Sequence, residues 1–270
     1  MEKIIGPAGA ECYRIVHESG AEVTLARHGG HLISWKTADL IERLYLSPKA
    51  EFGTGKAIRG GVPVIFPQFS DHGPFGRHGF ARKSEWMPDF EHGALTLQPT
   101  DETLADWPHA FELAIRPVLT ETSLAIELHI TNPGSEPISF QAALHTYLKI
   151  SDHTKVTITG LEDLDFQDET TGKLIPADQT PIALGEEIDR AYFQSNGTVV
   201  QMNDGTHEIE ITSGAFHDTV IWNPGPDHGI GDLPATDWQQ FVCIEAARIQ
   251  PNRIIEPGKN WIGLQRLEVK

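Results

Sequence analysis

Apolar and polar residues alternate with period two along most of this chain, and the alternation predicts strands over 22–26, 31–35, 94–98, 111–119, 123–131, 138–150, 155–159, 207–212, 241–247 and 261–269. Nearly all of these runs are rich in Val, Ile, Phe, Thr or Leu and end at Gly, Pro, Asn or Asp. Only a few polar residues interrupt the pattern between Thr120 and Ser123, so 111–131 reads as a hairpin. Asn132-Pro133-Gly134 then turns the chain into the next strand, with sequential antiparallel pairs expected to follow. A helical period is weak, around 103–105 and in the tail of the 227–237 loop. Without an internal repeat or low-complexity linker, the economical architecture is all-β: one large antiparallel β-sandwich spanning residues 1–270.

Composition adds to this picture in four places. The 25 Gly and 18 Pro favour turns over long helices, and all-β domains reach 270 residues undivided. No apolar run resembles a signal-peptide core or reaches bilayer-spanning length, which predicts a cytoplasmic protein without a membrane partner. Cys12 and Cys243 form neither a metal-ligand pair nor a disulfide framework and read as reduced packing residues.

Charge is the fourth. The chain carries a formal net charge of −17, yet Lys56, Arg59, Arg77, Arg82 and Lys83 face Asp71 alone between residues 56 and 83. Such a cluster concentrates small anions and points to a phosphorylated or carboxylated ligand. The bland alternative is a solvated loop whose charges pair with the acidic surface. Nucleic acid is a poor partner, because the whole molecule repels a polyanion and no basic stripe exists. Nine carboxylates between Glu162 and Asp189 read as a solvated loop surface, with Asp189 set apart for the reasons below.

Two polar residues interrupt apolar strands. Alternation puts His145 on one face with Ala143 and Tyr147, and Glu245 on one face with Phe241 and Cys243. A carboxylate among Phe and Cys costs several kcal/mol to desolvate. The same environment raises its pKa toward neutrality, as a general base working near pH 7 requires. The competing structural readings are an ion pair between Glu245 and Arg248, and a core histidine bonded to backbone. His28 and His31 lie three apart, but no metal-ligand motif surrounds them, and neither Ser70 nor Ser84 has a nucleophile's context. Gly60-Gly61 marks a turn or a close backbone approach beside Arg59.

The ordered motifs GGHLISW (29–35), IRGGVP (58–63), HGFAR (78–82), LHTY (144–147), IDRAY (188–192), VIWNP (220–224) and VCIEA (242–246) together resemble the glucose-6-phosphate 1-epimerase family, within the aldose 1-epimerase superfamily. The resemblance implies a galactose-mutarotase-like β-supersandwich, a monomer without cofactor or metal, and exchange of hexose 6-phosphate anomers. Carried over residue by residue, it makes His145 the general acid toward the ring oxygen and Glu245 the general base on the C1 hydroxyl. His78 and Asp189 would bind sugar hydroxyls or help orient the acid, and Arg59 and Arg82 would hold the phosphate. Two positions depart from the family pattern: Arg77 stands where a glutamine is usual, and Phe166 where a tyrosine is. Arg77 would add a cation to the substrate-binding set. The departure keeps open a non-catalytic sugar-phosphate-binding or regulatory module on the same fold, and a metal-dependent all-β enzyme is the remaining alternative.

Overall fold

Among the residues that the computed structural model describes, 1–53, 55–195 and 197–270, the chain forms twenty strands, one six-residue α-helix and short 3₁₀ turns. In chain order these are β1 (Glu2–Ile5), β2 (Glu11–Val16), β3 (Glu22–Ala26), β4 (His31–Lys36), β5 (Val64–Ile65), β6 (Met87–Asp89), β7 (Ala94–Leu97) and helix α1 (Asp101–Asp106). There follow β8 (Glu112–Leu119), β9 (Ser123–Thr131), β10 (Ile138–Leu144), β11 (Tyr147–Lys149), β12 (Thr157–Thr159), β13 (Phe166–Asp168) and β14 (Lys173–Ile175). The last are β15 (Ile188–Tyr192), β16 (Val200–Asn203), β17 (Glu208–Gly214), β18 (Asp218–Asn223), β19 (Phe241–Ile255) and β20 (Asn260–Val269).

Two eight-stranded antiparallel sheets dominate. One runs β14-β13-β15-β18-β19-β10-β5, with β11 also paired to β19; the other runs β12-β16-β17-β20-β9-β8-β7-β6; and β1 to β4 form a separate four-stranded sheet. The alternation read from the sequence explains the core. Leu124, Ile126, Leu128 and Ile130 of β9 are fully buried and share one apolar cluster with Phe140, Leu144, Ile244 and Ala246 of the first large sheet. Each such aliphatic side chain contributes roughly 1.5–3 kcal/mol by leaving water. Phe140 and Trp261 meet edge to face at 5.5 Å across this core.

The expected hairpin is β8–β9, paired from Glu112 opposite Thr131 to Leu119 opposite Leu124. Beyond it the expectation of sequential pairing fails, because β10 pairs with β19 and β5 instead of β9. Asn132 is the cause. Its amide donates to the carbonyls of Glu136 and Ile255 while its side-chain oxygen accepts from the Gly134 N–H, and the turn is thereby tied to the far end of β19. Nor is 138–150 one strand. The ladder stops after Leu144 and resumes at Tyr147, since the 61–63 segment takes the His145 and Tyr147 N–H groups on the carbonyls of Pro63 and Gly61. The faces survive the break, with Leu144 and Leu148 in the core. The weak helical signal at 103–105 is α1, capped by Thr100, whose side chain accepts from the Thr103 N–H. The tail of the 227–237 loop becomes a 3₁₀ turn at Asp237–Gln240.

Candidate active site

The face of the first large sheet turned away from the core carries the polar residues that the alternation singles out. Ala143 lies opposite Ala247 and Tyr147 opposite Cys243, so the pair midway between them is His145 and Glu245. One strand further, Val220 is the partner of Glu245 and Trp222 of Cys243, and Asp189 in turn is the partner of Trp222. Where the ladder breaks, His145 is free to turn toward its neighbour: its Nε2 stands 3.3 Å from Glu245 Oε1. The two groups are thus side by side on a floor. The imidazole is stacked on the Tyr147 ring (4.9 Å, 13° between planes) and meets Trp222 and His78 edge-on at 5.7 and 5.8 Å. The ion pair of Glu245 with Arg248 does not form, because a residue three further along a strand lies on the opposite face. Arg248 bonds instead to His217 Nδ1.

Loops wall this floor. Arg59 follows Ile58 and precedes Gly60 and Gly61, both at positive φ (103° and 61°), where a Cβ would collide with the carbonyls of Tyr45 and Leu32. That close approach fixes the Arg59 side chain, whose Nε donates to Asp232 (3.1 Å) and whose Nη1 donates to the Tyr147 hydroxyl (3.1 Å). On the other wall, the Ser70 N–H donates to His78 Nδ1 (3.1 Å) while the His78 N–H donates to the Ser70 carbonyl (2.9 Å). With Nδ1 accepting, the neutral His78 ring carries its proton on Nε2. Arg82 donates one N–H to the Arg77 carbonyl, and Arg77 itself lies at the exposed mouth, 3.2 Å from Asp71.

Burial sets the electrostatics. Glu245 is only 2 % exposed, and desolvation, with the nearby charge of Asp189, pushes its carboxyl well above the usual range. Desolvation lowers His145 to about 3, assisted by the charges of Arg82, Arg59 and Arg77. Both shifts favour the neutral forms of the two groups. Asp189 is raised to about 7 by burial and by the Glu169 carboxylate, whereas burial lowers Arg82 to about 10. Among the described residues, Glu245 Oε2, His145 Nδ1 and Arg82 Nε are all buried without a hydrogen-bond partner. Structural residues are seldom left so.

Arg59, Arg77, His78, Arg82, His145, Asp189 and Glu245, brought from five distant stretches of sequence, all line one cavity of about 270 Å³. Of the five cations between 56 and 83, Lys56 instead meets Glu51 at the surface and Lys83 is exposed. Sequence reasoning missed Glu169, Trp222 and Ile230, which also line the cavity. Glu169 belongs to the stretch read as a solvated loop surface; its N–H donates to the Asp189 carbonyl (2.8 Å), and its carboxylate stands 3.6 Å from His72 Nε2.

An antiparallel β-sandwich whose sheet face presents a buried carboxyl beside an imidazole, ringed by arginines, sets a proton acceptor and a proton donor side by side. The chain belongs to the aldose 1-epimerase family, whose model matches residues 11–268. It is 31% identical over 282 residues to a Cenchrus ciliaris protein named "Putative glucose-6-phosphate 1-epimerase", covering 97% of this chain and 83% of that one. An Escherichia coli K12 protein of the same name is 34% identical, with coverage of 86% and 82%. Among solved structures, a Salmonella typhimurium protein described as a "putative mutarotase" superposes with a TM-score of 0.83 at 28% identity, covering 96% of this chain and 90% of that one.

Proposed function

We propose that this protein interconverts the α and β anomers of a hexose 6-phosphate, with glucose 6-phosphate as substrate and the whole chain working as one domain. Ring opening removes a proton from the C1 hydroxyl and delivers one to the ring oxygen; rotation about C1–C2 and reclosure with the reverse transfers give the other anomer. Glu245 takes the hydroxyl proton as general base and His145 gives one to the ring oxygen as general acid. Arg59, Arg82 and Arg77 hold the phosphate, which guanidinium forks match in parallel hydrogen bonds. His78, through its Nε2 proton, and Asp189 meet sugar hydroxyls.

The observation that carries this reading is the buried, otherwise unpartnered His145–Glu245 contact at 3.3 Å in the cavity that the three arginines enter. Exchange spectroscopy of the two glucose 6-phosphate anomers tests it. Native protein is expected to accelerate exchange over buffer, and Glu245→Gln to lose about 10²–10⁴-fold while still binding the sugar phosphate. Binding in calorimetry without any acceleration would leave a sugar-phosphate-binding module instead.

A further inference from the structure

On the reading above, the arginine wall anchors the substrate, yet its placement does more than anchoring requires. Arg59 Nη1 donates to the Tyr147 hydroxyl, and the Tyr147 ring is the surface on which His145 is stacked. Arg82 has a buried Nε without a partner. The cation nearest the mouth, Arg77, is held only by an exposed contact with Asp71. An anion entering this wall therefore binds groups that bear directly on the imidazole, by contact through Tyr147 and by charge across the cavity.

We propose that a bound dianion switches on the acid–base pair, so that the phosphate of the substrate activates the site as well as holding the sugar. The charged and titratable groups that face His145 are Glu245, His78, Tyr147, Arg59, Arg77 and Arg82, with Asp189 one strand beyond Glu245. Three arginines lower the imidazole, whereas Arg82 alone of them lowers the Glu245 carboxyl. A dianion that cancels their field raises His145 more than Glu245. It shifts the pair toward a protonated imidazole, the form that the acid of ring opening needs.

The test uses the substrate in two pieces. Anomer exchange of unphosphorylated glucose is measured on the native protein with and without phosphite dianion, after subtraction of the enzyme-free rate at the same phosphite concentration and against chloride of equal ionic strength. The expected result is a saturable rise in kcat/KM for glucose on the order of tenfold or more, since each pKa unit restored to the imidazole multiplies its protonated fraction about tenfold. Arg82→Ala and Arg59→Ala are expected to bring the phosphite response down toward one. A glucose rate indifferent to phosphite, or raised equally by chloride, while glucose 6-phosphate turns over rapidly, would overturn the proposal and leave the phosphate as a handle. Absence of exchange for glucose 6-phosphate itself would instead remove the reading on which it rests.

Discussion

Asp189 shows how a single residue reports its surroundings. Its carboxyl sits on β15 beside Trp222, half-buried, with the Glu169 carboxylate nearby, and burial and that charge raise it to about 7. A raised carboxyl binds its proton more tightly in the folded chain than in the unfolded one. The associated stability is complete below the unfolded value near 4 and is lost as pH rises through about 7. Asp189→Asn, which mimics the protonated form, should therefore match the native melting temperature at pH 4. Its advantage should grow through pH 7 and then level off, at about 1–2 kcal/mol once partial exposure is allowed for. Thermal melts at pH 4, 6 and 8 measure this. A difference that does not change with pH would mean that Asp189 is an ordinary carboxylate, and one that shrinks with rising pH that the fold stabilises its ionised form.

At the level of elements, the break between β10 and β11 is what frees His145, and the far side of the break is pinned. The Thr146 hydroxyl donates to Gln265 Oε1 (2.5 Å) on β20, and Gln265 Nε2 donates to the Ile244 carbonyl (2.9 Å), so the two large sheets are tied directly beneath the His145–Glu245 pair. Thr146→Val keeps the volume but leaves a buried amide oxygen unpaired, a cost of about 1–3 kcal/mol in urea unfolding. Adding Gln265→Leu removes the unpaired acceptor and should recover part of the loss. A double variant less stable than the sum of the two single changes would show that this tie is not the source of the cost.

The same elements explain what the sequence could reveal. β8 and β9 alternate between the core and a more exposed face, and their bounds follow from period two to within a residue. β18 lies between the core and the cavity and is buried along nearly its whole length, so alternation is lost and it escapes notice; β19 is seen only as far as 247 because residues 250–254 of its far half are exposed. β1 fails for the opposite reason, being mostly exposed. His145 and Glu245 stand out because each is polar on an apolar strand. Glu169 looks like the eight carboxylates around it until β13 and β15 pair and bring it over the cavity.

Across the whole molecule, two charge distributions oppose each other. The net charge of −17 repels a dianionic substrate at long range, while Arg59, Arg77 and Arg82 attract it only near the cavity. Screening acts on the two at different salt concentrations, because the Debye length falls from about 30 Å at 0.01 M to about 10 Å at 0.1 M and about 3 Å at 1 M. Added chloride should first remove the molecule-wide repulsion and raise kcat/KM for glucose 6-phosphate. Beyond roughly 0.1–0.2 M it should weaken the arginine contacts and lower kcat/KM again. Unphosphorylated glucose, which feels neither field, should give a flat profile over the same range. Initial rates across that series check both halves of the argument. A steady fall from the lowest salt onward would mean that the arginine wall governs the approach of the substrate from the start and that the acidic exterior contributes nothing to it.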